Sequence, residues 1–262
     1  MVAATQIHPM KNSGNTILVT GGGSGIGRAL AEAFHARGDR VIIAGRRPAV
    51  LDEVVRANPG LAALTLDLED PAAIRSFAAQ LTAQFPTLNA VVHNAGVMRP
   101  ENLRDAPASL ADAEAQVTTN LLGPIRLTAA LLPHLLRQPG ATILTVTSGL
   151  AFVPLALFPT YCATKAALHS YTESLRYQLR ETRVEVIELP LPYVQTELTG
   201  AHQASDPDAM PLKDYIAETM HLLSTTPTPA EILVERVKPL RFAAQGDYAA
   251  FVQTLNDAFA KH

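Results

Sequence analysis

The chain has 262 residues, 48% of them hydrophobic, with 21 basic and 24 acidic side chains and a net charge of −3. That length suits a single α/β domain with a sizeable core, and the near-neutral balance excludes the whole-protein basic field expected of a nucleic-acid binder. One cysteine, Cys162, excludes an intrachain disulfide and fits a reducing, cytoplasmic compartment, while no apolar run approaches the roughly 18 residues of a membrane span.

Residues 1–15 read as a flexible leader without the apolar core of a signal peptide, and 16–262 as one domain. A first strand at 16–20 runs into Gly21-Gly-Gly23-Ser24-Gly25-Ile26-Gly27, which opens a helix at 26–37. Glycine permits the tight turn and lets backbone N–H groups approach a pyrophosphate at the helix N-terminus, so this turn predicts a dinucleotide site. The second strand, 40–44, ends in Gly45-Arg46-Arg47, where an NAD-type site would carry an acid for the ribose. Two guanidiniums there suit a 2′-phosphate, which favours NADP(H) over NAD(H).

A helix at 48–57 and a third strand at 62–66 follow, ending at Asp67 and Leu68. Asp67 is placed either to accept from an adenine amino group or to shape a helix-leading turn. Asp70 and Pro71 form an N-cap with proline at the first helical position, opening a helix at 71–84. The fourth strand, 90–93, precedes Asn94-Ala95-Gly96. A long helix at 109–136 carries Asn120 just before a Gly123-Pro124 break, since Pro124 cannot donate to the preceding turn. The fifth strand, 141–147, ends at Ser148; a helix at 160–181 and a sixth strand at 184–189 complete the alternation. Apolar runs without alternation and intervening helices imply a Rossmann-type, doubly wound parallel sheet of about six strands with helices on both faces.

Within the helix at 160–181, Tyr161 and Lys165 stand four residues apart and so share one face. A phenol near pKa ~10 is a poor acid or base at neutral pH, and an adjacent cation favours its phenolate, which makes it usable in proton transfer. Ser148 lies thirteen residues upstream of Tyr161. After Pro190 the pattern turns irregular and proline-rich, with helices expected at 212–223, 230–237 and 246–262 and the stretch 191–225 expected as a lid over a binding site.

Over about residues 16–200 the chain resembles the short-chain dehydrogenase/reductase family in its compact single-domain form. The likeness rests on Thr20-Gly21-x3-Gly25-Ile26-Gly27, Asn94-Ala95-Gly96, Asn120, Ser148, Tyr161-x3-Lys165 and a loop ending in Thr196. It implies that Tyr161 exchanges the proton of a carbonyl or alcohol, that Lys165 binds the nicotinamide ribose and depresses the tyrosine pKa, and that Ser148 holds the substrate oxygen. It further implies that Asn120 holds a water linking Lys165 to solvent, that Asn94–Gly96 pack beside the adenine ribose, and that Val194 and Thr196 fix the carboxamide. The implied activity is an NADP(H)-dependent carbonyl reductase, reversible as an alcohol dehydrogenase. The alternative is a regulatory binding protein that senses NADP(H) without turnover.

Two departures stand out. Leu191 and Pro192 replace the family's Pro-Gly pair before the threonine loop, which stiffens that turn. The end of the chain lacks the sequence of a seventh strand, so a homodimer through the helices at 109–137 and 160–181 is expected rather than a seventh-strand tetramer. Between Ser148 and Tyr161 the loop is uncharged, and Leu150, Phe152 and Leu157, with Tyr193 beyond, are expected to line a pocket for a lipophilic ketone or aldehyde. Cys162 reads as a packing residue, His93 and His169 as structural, and the histidines show no metal-ligand spacing, so no metal is expected.

Overall fold

The computed structural model describes residues 12–259. Six parallel strands, β1 (Thr16–Thr20), β2 (Arg40–Gly45), β3 (Ala62–Thr65), β4 (Ala90–His93), β5 (Ala141–Val146) and β6 (Val184–Leu189), form one sheet in the order β3-β2-β1-β4-β5-β6. The helices are α1 (Gly25–Ala36), α2 (Pro48–Ala57), α3 (Pro71–Gln84), α4 (Ala106–Val117), α5 (Gly123–Leu135), α6 (Pro159–Leu179), α7 (Ala201–Ala204), α8 (Leu212–Leu223), α9 (Lys238–Arg241) and α10 (Tyr248–Phe259).

The unbroken apolar strands are explained by a core on each face. Leu18, Ile42, Val91 and Ile143 meet α3, α5 and α6 on one side. Ile17, Val19, Ile43 and Val92 meet α1, α2 and α8 on the other. Strand order reverses between β1 and β4, and a ligand crevice opens at the carboxyl ends of strands on either side of such a reversal.

The expected α3 cap is present: Asp70 accepts from the amides of Ala72 (2.7 Å) and Ala73 (3.2 Å). Of the expected leader, 1–11 lies outside the described residues. Asn15, by contrast, is buried, its amide and side chain both 2.9 Å from Asp39 Oδ1.

Three expectations change. The helix foreseen at 109–136 is two helices joined by a π-helical turn, Thr118–Leu122, with Pro124 in the first turn of α5. The helix foreseen at 230–237 is instead extended at Ala230–Ile232: Glu188 N donates to Ala230 O (2.9 Å) and Ile232 N to Glu188 O (2.8 Å), leaving one 3-10 turn at Glu235–Val237. Among the described residues, this bridge alone stands at the outer edge of β6 where a seventh strand would add. The nearby edge carbonyl of Val186 is taken by Arg176 Nε (3.0 Å). Finally, α8, within the expected lid, is part of the body of the domain, for Tyr215 and Leu223 are buried and α8 packs on α1.

The same edge holds a buried charge network. Glu188, fully enclosed, accepts from Thr147 Oγ1 (2.5 Å) and faces His169 Nδ1 (2.8 Å). Glu231 pairs with Arg241 at 2.8 Å. His169, Glu188 and Glu231 offer ligand atoms within 4.8 Å of one another, but Thr147 and Arg241 already satisfy the two carboxylates. The Glu188 carboxylate, helped by Glu173 and Glu231, raises the His169 pKa above its ordinary 6.5 against the opposing effect of burial. A raised folded-state pKa gives a stabilisation complete below the ordinary value and lost as pH rises through the raised one. Urea unfolding of wild type and His169→Asn between about pH 6 and about pH 9 is therefore expected to show a stability gap that narrows with rising pH; a gap independent of pH would contradict the assignment.

Candidate active site

The floor of the crevice is built by the glycine turn. Gly21 has φ 68°, in the left-handed region, and a Cβ there would lie 2.8 Å from Ala95 Cα. At Gly27 a Cβ would fall 2.3 Å from both Gly21 O and Asn94 Nδ2. The turn can thus press directly against the segment after β4. Thr20 joins the two: its hydroxyl accepts from the amides of Asn94 and Ala95 (3.1 Å each), and its carbonyl accepts from Asn94 Nδ2 (2.9 Å).

Ser24, the N-cap of α1, uses no side-chain bond to cap the helix, and no acid occupies the first turn. The positive end of α1 is therefore not neutralised locally, as an anion site requires.

A cavity of about 760 Å³ runs from this turn, including Gly23 and Ile26, past Arg46, Arg47, Asp67, Leu68 and Asn94–Gly96 to Tyr161, Lys165 and Thr196. Its volume falls in the range of small-molecule and cofactor sites, and the glycine floor and uncapped α1 fit a dinucleotide. Arg46 Nη1 pairs with Glu69 at 2.8 Å, both side chains more than a third exposed. Such a pair is weak enough for a phosphate to displace. Asp67 accepts from Glu69 N (2.9 Å), so the turn role is present alongside its place on the cavity wall.

Tyr161, Lys165, Asn120 and Ser148 are all buried. Tyr161 and Lys165 project from the first turns of α6, and Lys165 Nζ lies 5.6 Å from the Tyr161 ring centroid. Ser148 lies just beyond the end of β5, close to the Tyr161 hydroxyl, and its Oγ accepts from Leu150 N (3.1 Å). The π-helical turn aims Asn120 inward, where it accepts from Val97 N (2.8 Å) and donates to Val97 O (2.8 Å) and Thr164 Oγ1 (3.3 Å). Those contacts make Asn120 a clamp on the segment after β4. Gly96 sits between Asn120 and Lys165, since a Cβ there would lie 3.3 Å from Asn120 Oδ1 and 3.8 Å from Lys165 Nζ.

The electrostatics revise one expectation. Burial pushes the Tyr161 pKa well above the ordinary phenol value, with nearby Ser148 acting in the other direction. Burial also lowers the Lys165 ammonium to about 8, and its Nζ donates to Val146 O (2.8 Å). Desolvation thus outweighs the neighbouring cation, and the phenol is held protonated.

The nicotinamide end is also altered. Thr196 lines the cavity, but Val194 does not. Gln203, which the sequence did not single out, donates to Val194 O (2.8 Å) and Thr196 Oγ1 (3.1 Å). It is buried, so it fixes this loop from behind.

On the substrate side, Leu150 packs with Met98, Leu155 and Phe158 around Tyr161 and Cys162. Phe152 instead meets His169 edge-on (4.8 Å) and lies under Arg241 (4.6 Å), and Leu157 is 45% exposed. The Tyr193 hydroxyl donates to Asp206 (2.9 Å), and its ring meets Phe259 edge-on at 6.0 Å. None of these four lines the cavity described above; Met98, Leu191, Leu198 and Leu212 do, and had no sequence signal beyond being apolar. Cys162 bonds the Leu155 backbone and burial raises its thiol pKa, which leaves it an inert packing group.

The chain belongs to the short chain dehydrogenase family, whose model matches residues 15–207, and is an oxidoreductase of that family. An uncharacterized oxidoreductase of Bacillus subtilis, DltE, is 38% identical over 250 residues, covering 94% of this chain and 98% of that one. Among solved structures, a short-chain dehydrogenase from Streptomyces avermitilis superposes with a TM-score of 0.80 at 26% identity, covering 96% of this chain and 99% of its own. A serine dehydrogenase in complex with NADP+ gives 0.74 at 28% identity, covering 82% and 90%.

If Arg46 and Arg47 receive a 2′-phosphate, replacing both by serine is expected to weaken NADPH binding by about 10- to 100-fold and NADH binding little. Fluorescence titration with both nucleotides checks this, and equal losses would remove the two arginines from cofactor choice.

Proposed function

We propose that the protein is an NADP(H)-dependent carbonyl reductase, reversible as an alcohol dehydrogenase, acting on a lipophilic ketone or aldehyde. The observation that carries this reading is the convergence of buried Tyr161 and Lys165 at one end of a cavity whose other end is the glycine turn with Arg46 and Arg47, with buried Ser148 close to Tyr161.

When bound, the nicotinamide supplies or accepts the hydride. The remaining work falls to the chain. Ser148 donates a hydrogen bond to the substrate oxygen and orients it toward Tyr161. Tyr161, held protonated by burial, gives its proton to that oxygen as negative charge develops there. The Lys165 ammonium, close to the ring face, stabilises the phenolate left behind and binds the ribose hydroxyls. Thr196, backed by Gln203, would hold the carboxamide of a bound nicotinamide. Met98, Leu191, Leu198 and Leu212 on the cavity wall exclude water from the reacting carbon.

A cytoplasmic location is proposed on the single cysteine and the absence, among the described residues, of a helix long and apolar enough to cross a membrane. A homodimer is proposed through the helices at 109–137 and 160–181, that is α4, α5 and α6, where Leu110, Val117, Leu136 and Tyr177 are exposed.

Tyr161→Phe is expected to lower kcat by about 10²-fold or more while leaving NADPH affinity unchanged. Unchanged turnover would remove Tyr161 from the chemistry. Because kcat/KM reports ionisations of the free enzyme, the pH profile for reduction is expected to fall above about 8 as Lys165 loses its proton. Retention of that limb in Lys165→Met would assign it to another group.

A further inference from the structure

The segment between β4 and α4 lines the cavity at Gly96 and Met98, and it is fixed to α6 at two points. One is Asn120, which holds both backbone groups of Val97 and reaches Thr164 of α6. The other is Glu101. The residue is 8% exposed and its carboxylate lies at the start of α6: Oε1 accepts from Thr160 N (3.1 Å) and Oε2 from Thr160 Oγ1 (2.8 Å). Glu101 N in turn donates to Leu157 O (3.0 Å).

The sequence explains why a distant acid is used. The N-cap of α6 is Phe158, which has no side-chain acceptor, and Pro159 follows it, so the first amide that needs a partner is that of Thr160. A carboxylate fifty-nine positions earlier supplies that partner and also sets a negative charge at the positive end of the helix. Gln116, fully buried on α4, holds the acid in place: its Nε2 donates to Glu101 Oε1 (3.2 Å) while its Oε1 accepts from Arg99 N (3.0 Å). The residue capped in this way immediately precedes Tyr161.

We propose that Glu101 is a positioning residue for catalysis: by capping α6 at Thr160 it sets the Tyr161 hydroxyl against the wall formed by Gly96 and Met98. Glu101 acts through Thr160 and touches neither substrate nor cofactor. The proposal rests on the carbonyl reductase reading for its activity readout, and it also carries a readout independent of turnover.

The test compares Glu101→Ala and Glu101→Gln with wild type. Three measurements are made: NADPH-dependent reduction of an aryl ketone, NADPH binding by fluorescence, and amide hydrogen exchange across residues 158–165. Because misplacement of a reacting group by about 1 Å can reduce rate by about 10²-fold, Glu101→Ala is expected to lower kcat by about 10- to 100-fold. Its NADPH affinity should stay within about 3-fold of wild type, as expected when binding and chemistry are separable. Exchange should quicken at Thr160 and Tyr161 only. Glu101→Gln, which can still accept from Thr160 N and pair with its hydroxyl, is expected to restore most of kcat and protection. The proposal is overturned by wild-type kcat in Glu101→Ala, by a loss of kcat that follows only a loss of folded protein, or by Glu101→Gln being as defective as Glu101→Ala. If wild type itself shows no turnover, the reductase reading fails, and unchanged exchange at Thr160 in folded Glu101→Ala still overturns the cap.

Discussion

Everything in the site depends on how closely the turn after β1 approaches the segment after β4. Gly21 and Gly27 allow it, because a single methyl at either position would collide with backbone or with Asn94. Thr20 then holds the two segments together through three hydrogen bonds. From that junction the segment leads on through Gly96 and Val97 to Asn120, and through Glu101 to the start of α6. The glycine-lined floor of the cavity and the helix carrying Tyr161 are therefore parts of one packed unit.

Burial at the far end of the cavity has chemical consequences. A phenol and an ammonium removed from water are both driven toward their neutral forms, which raises the tyrosine and lowers the lysine. A protonated Tyr161 suits the proton donation proposed for it. Lys165, lowered to about 8, is predominantly charged below that pH, where it can stabilise a phenolate. The substrate side depends on different forces. Apolar residues from the 149–158 loop, from Met98 and from α10 gather around Tyr161 and Cys162, and Asn256 of α10 ties the loop by accepting from Ala156 N (2.6 Å).

The strands, the α3 cap, the glycine turn and the Tyr161/Lys165 face were legible because each is local: a run of buried residues, a cap within three positions, a fixed spacing on one helix. The missed features join distant parts of the chain. Gln203 behind Thr196 and Glu101 beneath Thr160 have no signature in their neighbours, because their partners are set by tertiary packing. Phe152 and Tyr193 were read by hydrophobicity, yet Arg241 and His169 capture the first and Asp206 and Phe259 the second. The stretch at 230–232 carries helix-compatible residues but is drawn out by pairing with Glu188, where the unpaired strand edge outweighs intrinsic preference. The π-helical turn at Asn120 lies beyond any periodicity argument, since the proline that marks it predicts a break and not its form.

The most direct test of the central claim is to follow NADPH absorbance with purified protein and a panel of aryl, aliphatic and diketone substrates, with NADH in parallel. The account predicts substrate-dependent oxidation that is faster with NADPH and greatest for uncharged, lipophilic carbonyls. Saturable NADPH binding with no turnover across the panel would contradict it and favour a protein that senses the nucleotide without reacting.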